Sequence, residues 1–151
     1  VQPFLVSGAS MSPNFDTGNY LLIDEVTYRF REPQRGEVIV FKYPKDPSIY
    51  YIKRIIGLPG ETVAVQKGNV KIFKGDNDAA GTALSEEYLS PGLSTSGNLN
   101  VKLGADEYFM MGDNRNYSFD SRSWGPMNEK YIIGLARLRL LPVSRIQAFT
   151  Y

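Results

Sequence analysis

A serine displayed on a turn and a lysine embedded in an apolar strand can serve together as nucleophile and base, and Ser10 and Lys53 are the residues that fit. Ser10 stands in Ser7-Gly8-Ala9-Ser10-Met11, where small neighbours leave its hydroxyl accessible. A serine hydroxyl is a poor nucleophile near neutral pH and needs a base within hydrogen-bond reach. The 151 residues include no His and no Cys. A Ser-His-Asp triad, a thiol nucleophile, a disulfide framework and zinc sites built on imidazole or thiolate are therefore all excluded. Lys, Asp, Glu and Tyr remain as possible bases.

Lysine acts as a base only if its ammonium gives up a proton. Bringing a pKa of ~10.4 down to about 8 costs the charged form roughly 2.7 kcal/mol, which desolvation in an apolar strand can supply. Tyr50-Tyr51-Ile52-Lys53-Arg54-Ile55-Ile56 offers that setting. Alternation puts Lys53 on one face with Tyr51 and Ile55, and Ile52, Arg54 and Ile56 on the other. Lys45, Lys67 and Lys74 lie beside Gly, Pro or Asp, where water keeps them charged. The same pattern also suits a strand lysine whose ammonium snorkels to water, and the stretch alone leaves both readings open.

The elements that must hold these residues read as β. Short runs at Tyr20–Ile23, Glu37–Phe41, Tyr50–Ile56, Thr62–Val65, Asn69–Phe73 and Tyr108–Met111 alternate with turn signals such as Asp16-Thr17-Gly18-Asn19, Leu58-Pro59-Gly60 and Gly112-Asp113-Asn114. A mostly β fold follows, an antiparallel, barrel-like sheet as catalytic core. Helical periodicity is confined to a turn or two at Ser85–Leu89 and Asn128–Ile132. From Lys74 to Leu103 the composition shifts to Gly, Ser, Thr, Asn and Asp. The expected division is a core of residues 1–73 and 104–151 with 74–103 as a mobile insertion or small cap.

Seventeen basic and sixteen acidic residues leave a net charge of +1, which gives no electrostatic case for nucleic acid. No run approaches the ~20 apolar residues of a membrane span. The chain opens at Val1-Gln2-Pro3-Phe4, close to Ser10, so any membrane anchor is expected upstream of it.

Four stretches, SGASMSP at 7–13, RGEVIVFKYP at 35–44, YIKRIIGLPGE at 51–61 and GDNRNYSFDSRSWG at 112–125, resemble in order and wording the signature boxes of type I signal peptidases. The likeness covers nearly the whole chain apart from 74–103. That family is a membrane-anchored serine protease with a Ser/Lys dyad and neither metal nor cofactor, acting on signal-peptide-bearing pre-proteins. The resemblance implies a catalytic domain at the lipid surface of a bacterial cell membrane, on its extracytoplasmic face. It also implies roles. Ser10 is the nucleophile and Lys53 the general base. Ser118 orients the Lys53 amine by a hydrogen bond. Gly8 fills the position where some members place an oxyanion-stabilising serine.

Pockets for small side chains would be lined by Val6, Met11, Phe15, Tyr51 and Ile52 nearest the cut, and by Phe4 and Ile52 beyond. Arg54, Asp113, Asp120 and Arg122 are read as structural charges, with Arg54 able to pair with Asp113 and Asp120 with Arg122. Phe4 and Trp124 are expected to belong to an exposed patch resting on lipid. Three other readings are an aspartic dyad of Asp113 and Asp120, a self-cleaving repressor-type protease sharing the Ser/Lys dyad, and a β-barrel binding module in which Ser10 and Lys53 are incidental.

Overall fold

A computed structural model describes all residues, 1–151. The fold is mostly β, built of antiparallel pairs. In chain order the strands are β1 (Gln2–Leu5), β2 (Tyr20–Asp24), β3 (Val38–Lys42), β4 (Tyr50–Gly57), β5 (Thr62–Gln66), β6 (Asn69–Phe73), β7 (Thr82–Ala83), β8 (Leu99–Lys102), β9 (Glu107–Met111), β10 (Met127–Asn128), β11 (Ile132–Leu141) and β12 (Gln147–Ala148). The one α-helical turn, α1, is Ser121–Trp124.

Eight strands form the larger sheet in the order β1-β2-β11-β3-β4-β9-β10, with β12 paired to β11. The other four form a second sheet, β7-β6-β5-β8. Alternation in β3 and β4 feeds different cores. Val38, Val40 and Ile52 join Val6, Met11, Phe15, Leu21 and Ile23 in one cluster. Ile39, Phe41 and Ile55 join Tyr108, Met110 and Trp124 in another. The two sheets share a third, in which Ile56, Phe109 and Met111 meet Val63, Val65, Val70 and Ile72. Each fully buried aliphatic or aromatic side chain contributes about 1.5–3 kcal/mol, so these clusters are the main source of stability.

The expected boundary at Lys74 falls inside the second sheet. β5 and β6, read as core strands, pair with β8 and β7, which lie within residues 74–103. The segment is thus tied in on both flanks. Its strands have two and four residues and lie in turn-rich sequence, so periodicity hides them. Ser85–Leu89 forms no helix, and within Asn128–Ile132 only a 3-10 turn at Glu129–Tyr131 forms. β1, β11 and α1 lie outside the runs read as elements. No helix is long and apolar enough to cross a membrane.

Candidate active site

Ser10 sits on the turn that follows β1, and Lys53 lies mid-strand in β4. Two loops far apart in sequence bring them to one place. Asn114, just after β9, donates its backbone N–H to the Ser10 carbonyl at 2.9 Å, and its side-chain Nδ2 donates to Ala9 O at 3.0 Å. The Asp113 N–H points at Met11 Sδ, 3.3 Å away. The loop after β9 therefore fixes the backbone at Ala9 and Ser10 and the side chain of Met11. β4 pairs with β9 from Arg54 onward. This sets Lys53 beside Gly112 and next to the Ser10 turn.

Gly112 is the tightest point of the site. A Cβ there would run into both Ser118 Oγ and the Ser10 carbonyl oxygen, well inside van der Waals contact. Gly112→Ala is expected to lower turnover at least about tenfold by pushing the Ser10 turn off its position. Steady-state kinetics on a peptide substrate checks this; unchanged kcat would show that the close approach is not needed. Gly8 matters differently: its φ of +94° is a conformation that side-chain-bearing residues avoid, and it lets the chain turn into Ser10. Thr17 closes that turn, its Oγ1 accepting from Gly8 N at 2.9 Å and donating to Gly8 O at 3.0 Å.

Lys53 is 3% exposed. Its Nζ lies over the Tyr51 ring, 5.3 Å from the centroid. Burial draws its pKa down from 10.5 to about 8; the charge of Asp120 opposes this, Arg122 adds to it and Asp113 opposes it. The amine is therefore neutral in a large fraction of molecules at mildly alkaline pH.

Ser10 and Lys53 open into the same groove of about 420 Å³. Its walls come from Phe4 and Leu5 of β1 on one side and from Tyr50, Tyr51 and Ile52 of β4 on the other. Tyr117 and Phe119 overhang one end. β1 is an edge strand, paired only to β2, and the first residues of β4 pair with β3 alone. Two free strand edges thus border the groove. The backbone N–H of Ser10 donates to no acceptor within the protein.

Of the residues expected to line the pockets, Phe4, Tyr51 and Ile52 border this groove, while Val6, Met11 and Phe15 are buried in the core. Ser118 makes no hydrogen bond to Lys53. Its Oγ accepts from Gly112 N at 3.1 Å and contributes to holding the Asp120 carboxylate ionised. Trp124 is not on the surface: it is buried against Phe41, Tyr43 and Tyr51. Phe4 is half-buried. The exposed aromatics beside the groove are Tyr50, Tyr117 and Phe119. Within Gly112–Gly125, Tyr117 and Phe119 flank Ser118, and alternation about that serine would have singled them out.

The four loop charges form two pairs. Arg54 grips Asp113 with two prongs, Nε to Oδ1 at 2.8 Å and Nη2 to Oδ2 at 2.6 Å. Arg122 holds Asp120 likewise, Nε to Oδ1 and Nη2 to Oδ2, both at 2.9 Å. Burial pushes the Asp120 carboxyl up, but Arg122 and the Gly112 N–H more than offset it, so it sits below the usual carboxylate range. Each aspartate is paired with its own arginine, and no hydrogen bond joins the two carboxylates as in an aspartic dyad.

Partners missed from the sequence extend these pairs. Arg54 stacks on Tyr88, its Cζ 3.9 Å from the ring centroid. Buried Arg115 reaches Glu86 Oε2 at 2.5 Å and Thr95 Oγ1 at 2.8 Å. Glu86, Tyr88 and Thr95 all belong to the 74–103 segment, which so buttresses the loop around Asp113.

A family described as "Signal peptidase, peptidase S26" matches residues 1–141. A "Probable signal peptidase I-2" from Synechocystis sp. is 37% identical over 151 residues, covering 96% of this chain and 65% of its own length. A "Signal peptidase I" from Leptolyngbya laminosa is 39% identical over 150 residues, 93% of this chain and 69% of that protein. The chain thus spans about two-thirds of the length of these relatives. The crystal structure of a signal peptidase I from Enterococcus faecalis V583 superimposes with a TM-score of 0.57 at 29% identity, covering 70% of this chain and 97% of that one.

Proposed function

The chain belongs to the peptidase S26 family of signal peptidases, and on that premise we propose that it is a serine endopeptidase that removes signal peptides from exported pre-proteins through a Ser10/Lys53 dyad. The observation that carries this reading is a buried lysine, its pKa drawn down to about 8, opening into the same groove as a turn-borne serine. The neutral Lys53 amine takes the Ser10 proton as Oγ bonds to the scissile carbonyl carbon. The Ser10 N–H, free of protein acceptors, is the available donor to the oxyanion. The Lys53 ammonium then protonates the departing amine as the C–N bond breaks. Lys53, neutral once more, takes a proton from the water that attacks the ester and returns it to Ser10 Oγ as the C–Oγ bond breaks.

An extended signal peptide suits the groove, because β1 and the start of β4 can each offer backbone hydrogen bonds along its length. Phe4, Tyr51 and Ile52 leave room for small side chains near the cut. The pre-protein's cleavage site emerges beside the bilayer, and the working location is the extracytoplasmic face of a bacterial membrane, with exposed Tyr50, Tyr117 and Phe119 turned to lipid.

The test is incubation with a separate pre-protein peptide, together with mass spectrometry after exposure to an acylating penem. Cleavage in trans after Ala-X-Ala and an adduct on Ser10 are expected. Cleavage confined to the chain itself would favour a repressor-type protease, and no cleavage at all a binding module.

The pH profile gives a further expectation. Only the deprotonated amine is a base, so kcat/KM is expected to rise about tenfold per pH unit below the pKa and level off above about 8. A profile still climbing near the pKa of free lysine would show that Lys53 is not desolvated in the working enzyme.

A further inference from the structure

Residues 6–19, which carry Ser10, form no regular strand or helix, so their shape depends on what grips them from outside. One such grip is the buried guanidinium of Arg139 in β11, 3% exposed. It meets no carboxylate. Nη1 donates to Asn14 O at 2.9 Å and to Asn19 Oδ1 at 3.2 Å. Nε donates to Arg145 O at 2.8 Å and Nη2 to Gln147 Oε1 at 2.6 Å. Burial and the charge of Arg145 press its pKa down, with Asp16 opposing. Burying a guanidinium without a counter-charge is costly, and an apolar residue at this strand position would avoid the cost. What the arginine adds is reach in several directions at once.

Two of its acceptors lie in the Ser10 segment and two lie beyond residue 141, past the end of the family match. The residues after 141 repeat the grip. Arg145 Nη1 pairs with Asp16 Oδ2 at 2.9 Å, and its Nη2 reaches Pro13 O at 3.4 Å. The Phe149 ring packs on Phe15 with centroids 4.8 Å apart, and Arg139 lies over it at 5.4 Å. Tyr151 pins the end by donating to Ala136 O at 2.8 Å. Asn14 carries the restraint across the site, because its Nδ2 donates to Asp113 Oδ2 at 2.8 Å, the carboxylate that also binds Arg54 next to Lys53.

We propose, resting on the Ser10/Lys53 reading above, that Arg139 is a positioning residue and residues 142–151 its clasp, together fixing Asn14 and Asn19 so that the Ser10 hydroxyl stands in register with the Lys53 amine. The test is Arg139→Gln in the whole chain, with active sites counted by penem acylation and turnover expressed per counted site. Per-site kcat is expected to fall about ten- to a hundredfold, as a misplacement of about 1 Å does, with KM little changed. The midpoint of the pH profile stays at about 8, since burial in β4, the main cause of the lowered Lys53 pKa, does not depend on Arg139. Arg139→Lys recovers only part, because an ammonium cannot fork toward four acceptors. Phe149→Ala leaves the guanidinium in place and is expected to lower per-site kcat in the same direction; it decides alone if Arg139→Gln does not fold. Fewer titratable sites, each with normal turnover, would mean a merely structural role and overturns the proposal. Absence of titratable sites in the unaltered protein overturns the dyad reading, and this one with it.

Discussion

Lys53→Met is expected to lower peptide turnover by at least about 10⁴-fold, the scale on which loss of a catalytic base acts, while making the fold more stable below pH 8. The first effect follows from the missing proton acceptor. The second follows from the burial that lowers the Lys53 pKa. Its pKa is about 8 in the folded chain against 10.5 for a free side chain. Between these values the unfolded chain holds a proton that the folded chain lacks, so stability rises with pH through this window. Below about 8 both forms are charged, and the folded one bears the whole desolvation penalty, about 3 kcal/mol. Methionine, similar in length and uncharged, removes it. Urea denaturation of both proteins should show the variant ahead by about 3 kcal/mol at neutral pH, the gap closing as pH rises toward 10.5. Substantial residual cleavage would remove Lys53 from the mechanism, and equal stability at neutral pH would mean that its ammonium is solvated.

Asp113→Ala is expected to have the largest cost in stability. Asp113 and Arg54 are 1% and 6% exposed, and removing the carboxylate strands a charge in the interior. Breaking such a pair from one side costs about 3–5 kcal/mol. Asn14 Nδ2 and Arg54 Nε and Nη2 would also lose an acceptor. For a domain of this size the loss lowers Tm by roughly 10–15 °C. The double variant Arg54→Leu/Asp113→Leu should recover much of it, since neither charge is then left alone. Thermal unfolding of the three proteins checks this; a double variant no better than the single would mean that geometry at Asp113, not charge, is what matters.

Much of the β architecture and the two catalytic candidates were legible in the sequence for physical reasons. An apolar alternation with one lysine in it is a local signal, and burial of β4 follows from it. Pairings over long distance were less open. Arg54 with Asp113 was foreseeable because both lie in recognisable stretches, whereas Glu86 and Tyr88 lie in polar sequence whose contacts depend on where the second sheet docks. Trp124 misled because an aromatic in a loop reads as exposed, yet α1 turns it inward against Tyr43 and Phe41. Val6, Met11 and Phe15 were expected at the groove from the resemblance, but their side chains pack into the core with Leu21, Val40 and Ile52. The role of Arg139 was hidden for a similar reason: an arginine among leucines reads as the solvent side of a strand unless the residues after 141 are known to cover it.

The place of β11 in the larger sheet has a consequence for biosynthesis. It lies between β2 and β3, so within the sheet the β1-β2 pair that flanks Ser10 and the strand that bears Lys53 are joined only through a segment translated after both. Such late, distant pairing slows assembly. Ser10 and Lys53 are therefore held in two unjoined pieces of the sheet until β11 has been made and inserted between them.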